Sequence, residues 1–186
     1  MILTDREIKT HLARGTIVID PPPVAYDSTS VDLTLDPIIK EFKKLESGIE
    51  TIIDPVNANF KDEEVLESIT VQKIIDDEGY VLHPQKFILG WTAEYIDLKI
   101  DTRIAARIEG KSSLARLGIV VHMTAPTIHA GFDGQIRLEI ANYGLFPVRL
   151  RAGMRVCQLI FEMTLGAPEK AYQAQFSGQT SGARKA

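Results

Sequence analysis

The 186-residue sequence has little cysteine and no long apolar run. Its one cysteine, Cys157, excludes an internal disulfide framework and any metal site built from several thiolates. No apolar run approaches the ~18–20 residues that a membrane-spanning helix needs. The N-terminal segment is charged from its fifth residue, so it lacks the apolar core of a signal peptide. We expect a soluble, cytoplasmic protein with no membrane partner.

Sequence motifs for a catalytic zinc ion are also missing. None of the four histidines begins a His-x-Glu motif, and no Pro-Cys-x-x-Cys segment is present. The zinc site of the nucleobase deaminases is therefore excluded. No two histidines have the spacing of a helix-borne metal site either. Any catalytic site is expected to work without zinc.

Charge is distributed unevenly, although the formal net charge is only −4. Residues 1–100 contain 10 Lys and Arg against 19 Asp and Glu, whereas residues 101–186 contain 11 against 6. An anionic ligand is therefore expected on surface built from the second half. The alternative is that the opposite charges neutralise one another across the fold or between subunits.

Short segments with period-two alternation dominate the chain. One helix is predicted near the N-terminus, where Thr4 and Glu7 form a capping box and Gly15 ends the run. Lys61 to Glu64, in an irregular acidic region, suits a turn or a helix start. Strands are predicted at 16–20, 31–36, 80–82, 87–89, 95–98, 104–109, 136–140, 148–151 and 155–161. This pattern predicts a mainly β fold, either a sandwich, a jelly roll or a barrel.

The chain shows no internal repeat and no long linker, so one domain is expected. Apolar residues make up 45% of the chain and charged residues 25%, which is ordinary for a globular protein. Residues 1–176 are predicted to form a single β domain. Residues 177–186 are rich in Gly, Ser, Lys and Arg and have little to bury, so they are predicted to form a flexible tail.

The segment GKSSLARLG, residues 110–118, interrupts two predicted strands with small hydroxyls and two cations, Lys111 and Arg116. Glycine permits unusual backbone angles, and serine hydroxyls and cations donate hydrogen bonds to phosphate oxygens. The spacing is not that of a P-loop. A capped helical turn between strands would explain the segment without any ligand.

Glu139 lies in a predicted strand, on the face opposite Ile136 and Leu138 and beside Arg137. The simplest interpretation is a solvated outer face with an exposed ion pair that contributes little. The functional interpretation is a carboxylate in a cleft that works as a general base and acid. The residue pattern alone leaves both open.

Other candidate residues have simple structural explanations. His122 ends an apolar run and is expected to be a structural histidine, and Cys157 is expected to be buried and inert. Trp91 and Phe132 could stack on a nucleobase, but a role in the core or in a subunit contact explains them equally well.

Several motifs in one order make the sequence similar to a known family. They are SVDLTL at 30–35, GKSSLARLG at 110–118, VHMTA at 121–125, IHAGFDG at 128–134, IRLE at 136–139 and GMRVCQLIF at 153–161. These segments resemble the dCTP deaminases, within the trimeric dCTP deaminase and dUTPase superfamily. The similarity is dense from about residue 88 to residue 164 and thinner, though ordered, elsewhere.

The resemblance implies a fold, an assembly and a reaction. The fold would be a distorted, dUTPase-like β-barrel or jelly roll with a short N-terminal helix, assembled as a homotrimer with active sites between subunits. The substrate would be dCTP, bound with Mg²⁺ through its triphosphate. Zinc-independent hydrolysis would give dUTP and ammonia and supply dUMP and dTMP synthesis. Inhibition by dTTP is also implied, and no nucleic-acid partner is expected.

The same resemblance implies roles for individual residues. Glu139 matches the catalytic glutamate, and Ser112 and Arg116 match the family's active-site serine and arginine. Gln175 stands where a lysine is common. The expected substrate-binding residues are Lys111, Ser112, Ser113, Arg116, Ala125, His129, Arg137, Leu138, Tyr172, Gln175 and Gln179.

His129 departs from the family pattern. Ten residues before the catalytic glutamate, the superfamily usually has an aspartate that contacts the sugar 3′-hydroxyl and, in dUTPases, positions the hydrolytic water. A histidine is a poorer general base at this location, so dCTP deaminase activity alone is expected. The alternatives are a bifunctional dCTP deaminase/dUTPase, a dUTP pyrophosphatase, or a non-catalytic nucleotide-binding β-barrel.

Overall fold

The computed structural model describes residues 1–44, 52–57, 59–169 and 178–182. The helices in this part of the chain are α1 (Asp5–Ala13), α2 (Asp62–Ile69) and α3 (Ser112–Ala115), with a 3-10 turn at Ile100–Thr102. The strands are β1 (Ile17–Asp20), β2 (Tyr26–Asp27), β3 (Ser30–Thr34), β4 (Ile38–Phe42), β5 (Thr70–Ile74), β6 (Tyr80–Leu82), β7 (Phe87–Leu98), β8 (Ile104–Gly110), β9 (Ile119–Val120), β10 (Thr127–Ile128), β11 (Asp133–Asn142), β12 (Val148–Leu150) and β13 (Arg155–Met163). Among these residues, no helix has the length and apolar character needed to cross a membrane.

Two larger antiparallel sheets enclose the core. The six-stranded sheet has the order β5-β4-β7-β11-β9, with β1 also paired to β7. The five-stranded sheet has the order β10-β8-β13-β3-β2, and β12 pairs with β6 separately. Apolar side chains from both sheets form one cluster that includes the fully buried Leu33, Leu138 and Leu159. The predicted mainly β fold is confirmed.

The N-terminal helix forms as its sequence predicts. The Thr4 backbone N–H donates to Glu7 Oε2 at 2.8 Å, which is the capping-box contact. Ile8 is fully buried and attaches the helix to the core. The helix ends at Ala13, and Gly15 follows with a φ of +67°, a left-handed angle that glycine adopts without strain.

The two other helices were harder to predict. A helix start at Lys61 to Glu64 was one of two expectations, and α2 does begin at Asp62. None of the eight described residues of α2 is fully buried, and its three apolar residues, Val65, Leu66 and Ile69, are only partly buried. The four residues of α3 are too short to show a period. They form a helical turn between two strands, the structure that would explain residues 110–118 without any bound ligand.

Strand β11 runs through the middle of the larger sheet and sets the position of the site. In its register with β7, Arg137 lies opposite Trp91 and Glu139 lies opposite Leu89. The register shifts between Gln135 and Arg137. Ile136 and Leu138 point into the core, which leaves Arg137 and Glu139 on the other face, as alternation requires.

Cys157 lies on β13, between β3 and β8, where it pairs with Leu33 on one side and Gly110 on the other. Its side chain is fully buried. Burial raises the pKa of the thiol, and the nearby carboxylates of Glu94 and Asp32 add to the effect. The expectation of a buried cysteine is confirmed.

Candidate functional site

A cavity of about 460 Å³ lies beside β11, with both Glu139 and the buried Ile136 of this strand in its lining. Strand β11, the start of β7, helix α2 and the chain from His122 to Phe132 all contribute to its wall. Five residues predicted for the site line it: Ala125, His129, Arg137, Glu139 and Gln179. The fold therefore brings together residues that are up to 54 positions apart in the sequence.

Glu139 lies in this cavity and not on an open solvated face. Its side chain is half-buried, and its Oε2 atom accepts a hydrogen bond of 3.3 Å from the backbone N–H of Met123. A carboxylate so placed can take and return a proton inside a pocket. The geometry supports the functional interpretation of Glu139.

His122 is the pocket residue that sequence reasoning placed elsewhere. It lines the cavity, and its Nδ1 atom is buried with no hydrogen-bond partner among the described residues. Its Nε2 atom lies 3.9 Å from Glu109 Oε2. The expectation of a structural histidine with satisfied hydrogen bonds is not met at Nδ1 among the described residues, and a buried nitrogen without a partner beside a cavity is available to a ligand or to water. The VHMTA motif at 121–125, which contains His122 and Ala125, was the sequence feature that could have placed His122 at the site.

Arg137 is held by an ion pair that the sequence did not indicate. Its two terminal nitrogens donate to the Glu63 carboxylate at 2.6 and 3.2 Å. The hydrogen bond from Arg137 holds the pKa of Glu63 below its usual value. Glu63 lies on α2, which also places Asp62 and Leu66 in the pocket wall. This helix wall was missed, since its sequence was interpreted only as a turn or a helix start.

The two aromatic candidates for base stacking have different positions. Trp91 is only 2% exposed and does not belong to the described lining of the pocket. Its ring instead lies under the Arg137 guanidinium, 5.3 Å from the ring centroid. Phe132 is also buried, but it does border the cavity. A structural role therefore explains Trp91, and Phe132 alone remains beside the site.

Residues 111–116 lie outside the described lining of the pocket. The Lys111 ammonium pairs with Asp32, a carboxylate that is 3% exposed, and Arg155 pairs with the same carboxylate at 3.0 Å. Ser112, Ser113 and Arg116 are exposed on α3. In one copy of the chain, therefore, α3 is not part of the described lining that contains Glu139.

Three further residues that were predicted for the site are not among the described lining residues of the pocket. Leu138 is fully buried in the core and is not among the described lining residues of the pocket. Tyr172 and Gln175 lie outside the described residues. Their predicted roles stay predictions.

Residues 178–182 dock on β11 beside the pocket. The Gln135 backbone N–H donates to the Gln179 carbonyl at 2.9 Å, and Gln179 Nε2 donates to the Gln135 carbonyl at 3.0 Å. The Ser181 backbone N–H donates to Gln135 Oε1 at 2.7 Å. Gln135 is itself fixed by donating to Asp36 at 3.1 Å and to the Thr92 carbonyl at 2.8 Å. This part of the predicted tail is attached, and residues 177 and 183–186 lie outside the described residues.

Replacing Gln135 by leucine is expected to release residues 178–182. Leucine leaves the Ser181 N–H without its acceptor, and an unpaired buried donor costs about 1–3 kcal/mol. Amide hydrogen exchange in residues 178–182 should accelerate about tenfold or more. Mass spectrometry of exchanged peptides measures this, with the exposed Gln72→Leu as the control. Unchanged exchange in the Gln135 variant would contradict the docking role.

A family model described as dCTP deaminase-like matches residues 2–164 of this chain. The chain belongs to the dCTP deaminase-like family. Curated relatives of this family match over nearly the whole chain. A protein of Methanosphaera stadtmanae, named "dCTP deaminase, dUMP-forming", is 42% identical over 186 residues and covers 96% of this chain and 90% of the relative.

Two more relatives in the dCTP deaminase-like family carry related names. A protein of Methanobrevibacter smithii, also named "dCTP deaminase, dUMP-forming", is 40% identical over 174 residues, covering 92% of this chain and 84% of its own. A protein of Rhodospirillum rubrum, named "dCTP deaminase", is 38% identical over 176 residues, with 94% and 88% covered.

Solved structures agree with the fold of the dCTP deaminase-like family. The 2′-deoxycytidine 5′-triphosphate deaminase of Agrobacterium tumefaciens superposes with a TM-score of 0.66 at 23% identity, over 88% of this chain and 48% of that chain. The present chain thus spans about half the length of that protein. A dUTPase of Staphylococcus bacteriophage 80alpha gives a TM-score of 0.50 at 13% identity, over 86% and 97% of the two chains. The predicted dUTPase-like fold is confirmed.

Proposed function

We propose that this protein hydrolyses the 4-amino group of dCTP in the pocket lined by Glu139. The observation that carries the proposal is the position of this carboxylate, half-buried in a cavity of about 460 Å³ and oriented by the Met123 N–H. The names of the relatives support the same substrate. The sequence lacks the motifs of a zinc deaminase, so the proposed reaction uses no zinc.

Glu139 can perform the proton transfers that the reaction requires. Water attacks C4 of the cytosine and forms a C–O bond while Glu139 accepts the water proton. The carboxylic acid then protonates N3. Glu139 next takes the remaining proton from the new C4 hydroxyl and delivers it to the amine, so that C4=O forms, the C4–N bond breaks and ammonia leaves. The balance is dCTP plus water to dUTP plus ammonia. Each proton that Glu139 takes from the water is returned to the substrate, so the enzyme is regenerated.

The charge of the pocket favours the nucleoside part of the substrate. Asp62, Glu139 and Arg137 are the charged side chains in its described lining, apart from histidines, and Arg137 is already paired with Glu63. A triphosphate needs more cations and hydroxyl donors than this wall provides. We therefore place the phosphates toward residues outside the lining.

Helix α3 carries suitable phosphate ligands on an exposed surface. Ser112, Ser113 and Arg116 are exposed there and are not among the lining residues of the Glu139 pocket of their own chain. We propose that a neighbouring copy presents α3 at the pocket mouth, in a homotrimer with shared sites. In that arrangement Arg116 and Ser112 would complete the catalytic set. A second pyrimidine nucleotide such as dTTP would inhibit by occupying the same pocket.

Magnesium is assigned to the substrate. Among the described residues, no group of three or more His, Cys, Asp or Glu side chains could hold a metal ion. The triphosphate oxygens are ligands that Mg²⁺ prefers. When bound there, the ion would neutralise phosphate charge, while the residues of the chain bind and orient the base.

A second hydrolytic step is the further candidate. Three relatives at 40% identity or more are named dUMP-forming, which favours dUMP over dUTP as the final product. This conclusion differs from the expectation drawn from His129. In the second step, water attacks a phosphorus atom of dUTP and a P–O bond breaks, which gives dUMP and pyrophosphate.

Incubation with dCTP and Mg²⁺ tests both steps. We expect ammonia, dUMP and pyrophosphate in equal amounts, because each dUTP formed would be hydrolysed in turn. Chromatography of the nucleotides, with separate assays of ammonia and pyrophosphate, measures this. Accumulation of dUTP without pyrophosphate would contradict the second step and leave the first. Absence of ammonia would contradict the deaminase proposal itself.

A further inference from the structure

Helix α2 forms one wall of the pocket without being anchored by buried side chains. None of its eight described residues is buried, although Asp62 and Leu66 line the cavity. Its apolar residues Val65, Leu66 and Ile69 are only partly buried, so burial of apolar surface holds this helix less firmly than it holds a core helix. At its C-terminal end the helix is tied to the sheet, where the Lys43 backbone N–H donates to the Ile69 carbonyl at 2.8 Å.

The N-terminal end of α2 is tied by Glu63. Its carboxylate accepts two hydrogen bonds from Arg137, at 2.6 and 3.2 Å, and the Arg137 side chain is only 16% exposed. The Glu63 side chain is 39% exposed, so the pair is partly buried, and a bidentate pair of this kind is stronger and more rigid than a fully exposed one. The tie lies one residue from Asp62, which borders the cavity.

The Arg137 guanidinium is itself held in place by stacking on the Trp91 ring. The two residues lie opposite each other on β11 and β7, and the guanidinium carbon is 5.3 Å from the centroid of the Trp91 ring. Lys40 approaches the same ring at 6.0 Å. Because Trp91 is 2% exposed, it provides a rigid floor on which the guanidinium is stacked.

We propose that Trp91, Arg137 and Glu63 form a latch that holds the N-terminal end of α2 against the pocket. Arg137 and Glu63 are then positioning residues, which set the affinity for nucleotide by fixing the helix wall. This differs from the direct contact with substrate that the sequence predicted for Arg137. The part of the proposal that concerns nucleotide affinity rests on the proposed function.

The two roles of Arg137 predict opposite effects of one substitution. Both terminal nitrogens of Arg137 donate to Glu63, and its Nε atom is buried without a partner among the described residues. If Arg137 bound a phosphate directly, loss of the Glu63 charge would free the guanidinium and strengthen binding. If the latch holds α2, the same loss weakens binding, because the helix wall is released.

Glu63→Gln tests the latch, with the exposed Glu67→Gln on the same helix as the matched control. For Glu63→Gln we expect amide exchange in residues 62–66 to accelerate about tenfold, since a charge-assisted bidentate contact is lost. We also expect KM for dCTP to rise about tenfold with kcat changed less than about twofold. Glu67→Gln should match the unmodified protein in both measurements.

Arg137→Met completes the design, because methionine can still pack on Trp91 but cannot pair with Glu63. It should reproduce the effects of Glu63→Gln, and the double variant should show no further change. A lower KM in Glu63→Gln, unchanged exchange in α2, or additive effects in the double variant would each overturn the latch.

Hydrogen exchange separates this proposal from the proposed function. If the unmodified protein releases no ammonia from dCTP, the deaminase proposal fails, and the exchange of residues 62–66 still decides whether the latch exists. If ammonia is released but neither the exchange nor KM responds to Glu63→Gln, the latch fails and the deaminase proposal stands.

Discussion

Replacing Glu139 by glutamine is expected to lower kcat for dCTP deamination by about a hundredfold to ten-thousandfold. Glutamine has nearly the same size and can still accept the hydrogen bond from the Met123 N–H, so the pocket should keep its shape. It cannot take a proton from water or return one to N3 of the cytosine. The rate of ammonia release from dCTP measures the effect.

Two comparisons keep this result interpretable. Glu162→Gln changes a glutamate on β13 that pairs with Arg107 outside the described pocket lining, and it should retain the full rate. Titration calorimetry should show that Glu139→Gln still binds dCTP, since the change removes chemistry and not the pocket. A Glu139→Gln protein that retained the full rate would exclude the carboxylate from the reaction.

Replacing Gly118 by alanine is expected to destabilise the fold by about 2–4 kcal/mol. Gly118 has a φ of +87°, and a Cβ atom there would lie 2.3 Å from the Gly144 nitrogen and 2.5 Å from its Cα atom. These are backbone atoms, so no side-chain rotation can relieve the contact. The segment that carries α3 would have to move away from the chain that follows β11.

Gly153→Ala isolates the conformational part of this cost. Gly153 also has a positive φ, +75°, but no atom lies within 4 Å of an added Cβ atom. Its replacement should therefore cost only about 1–2 kcal/mol. Denaturant unfolding of the two variants and the unmodified protein measures the difference. Equal losses in the two variants would show that the Gly118–Gly144 approach is not tight in solution.

The strands were predictable because their signal is local. Alternation in segments such as 136–140 already placed Arg137 and Glu139 on one face, and the structure keeps them there. The capping box at Thr4 and Glu7 similarly specifies α1 within a few residues. Such features depend on residues that are close together in the sequence, so they can be predicted from the sequence alone.

The pocket was less predictable, because distant segments close it. Nothing near Glu63 indicates that it pairs with a strand residue 74 positions later. Gln135 likewise gives no local sign that it receives residues 178–182, since its contacts with Gln179 and Ser181 exist only once the sheet has formed. Helix α2 has only three apolar residues, Val65, Leu66 and Ile69, and these do not indicate which part of the fold the helix contacts.

The charge asymmetry was also resolved by long-range pairing. Cations of the second half pair with acids of the first half at Lys111–Asp32, Arg155–Asp32 and Arg137–Glu63. Neutralisation across the fold, one of the two explanations open from the sequence, therefore accounts for these cations. Arg116, exposed on α3, remains a candidate for an anionic ligand.

The position of Cys157 also makes its thiol a natural probe of how often the five-stranded sheet opens. The thiol is enclosed between β3 and β8, and it is the one cysteine of the sequence. A thiol-reactive dye can reach it only when these strands separate. The rate at which the dye couples to the unmodified protein therefore reports how often the sheet opens, and no engineered label is needed.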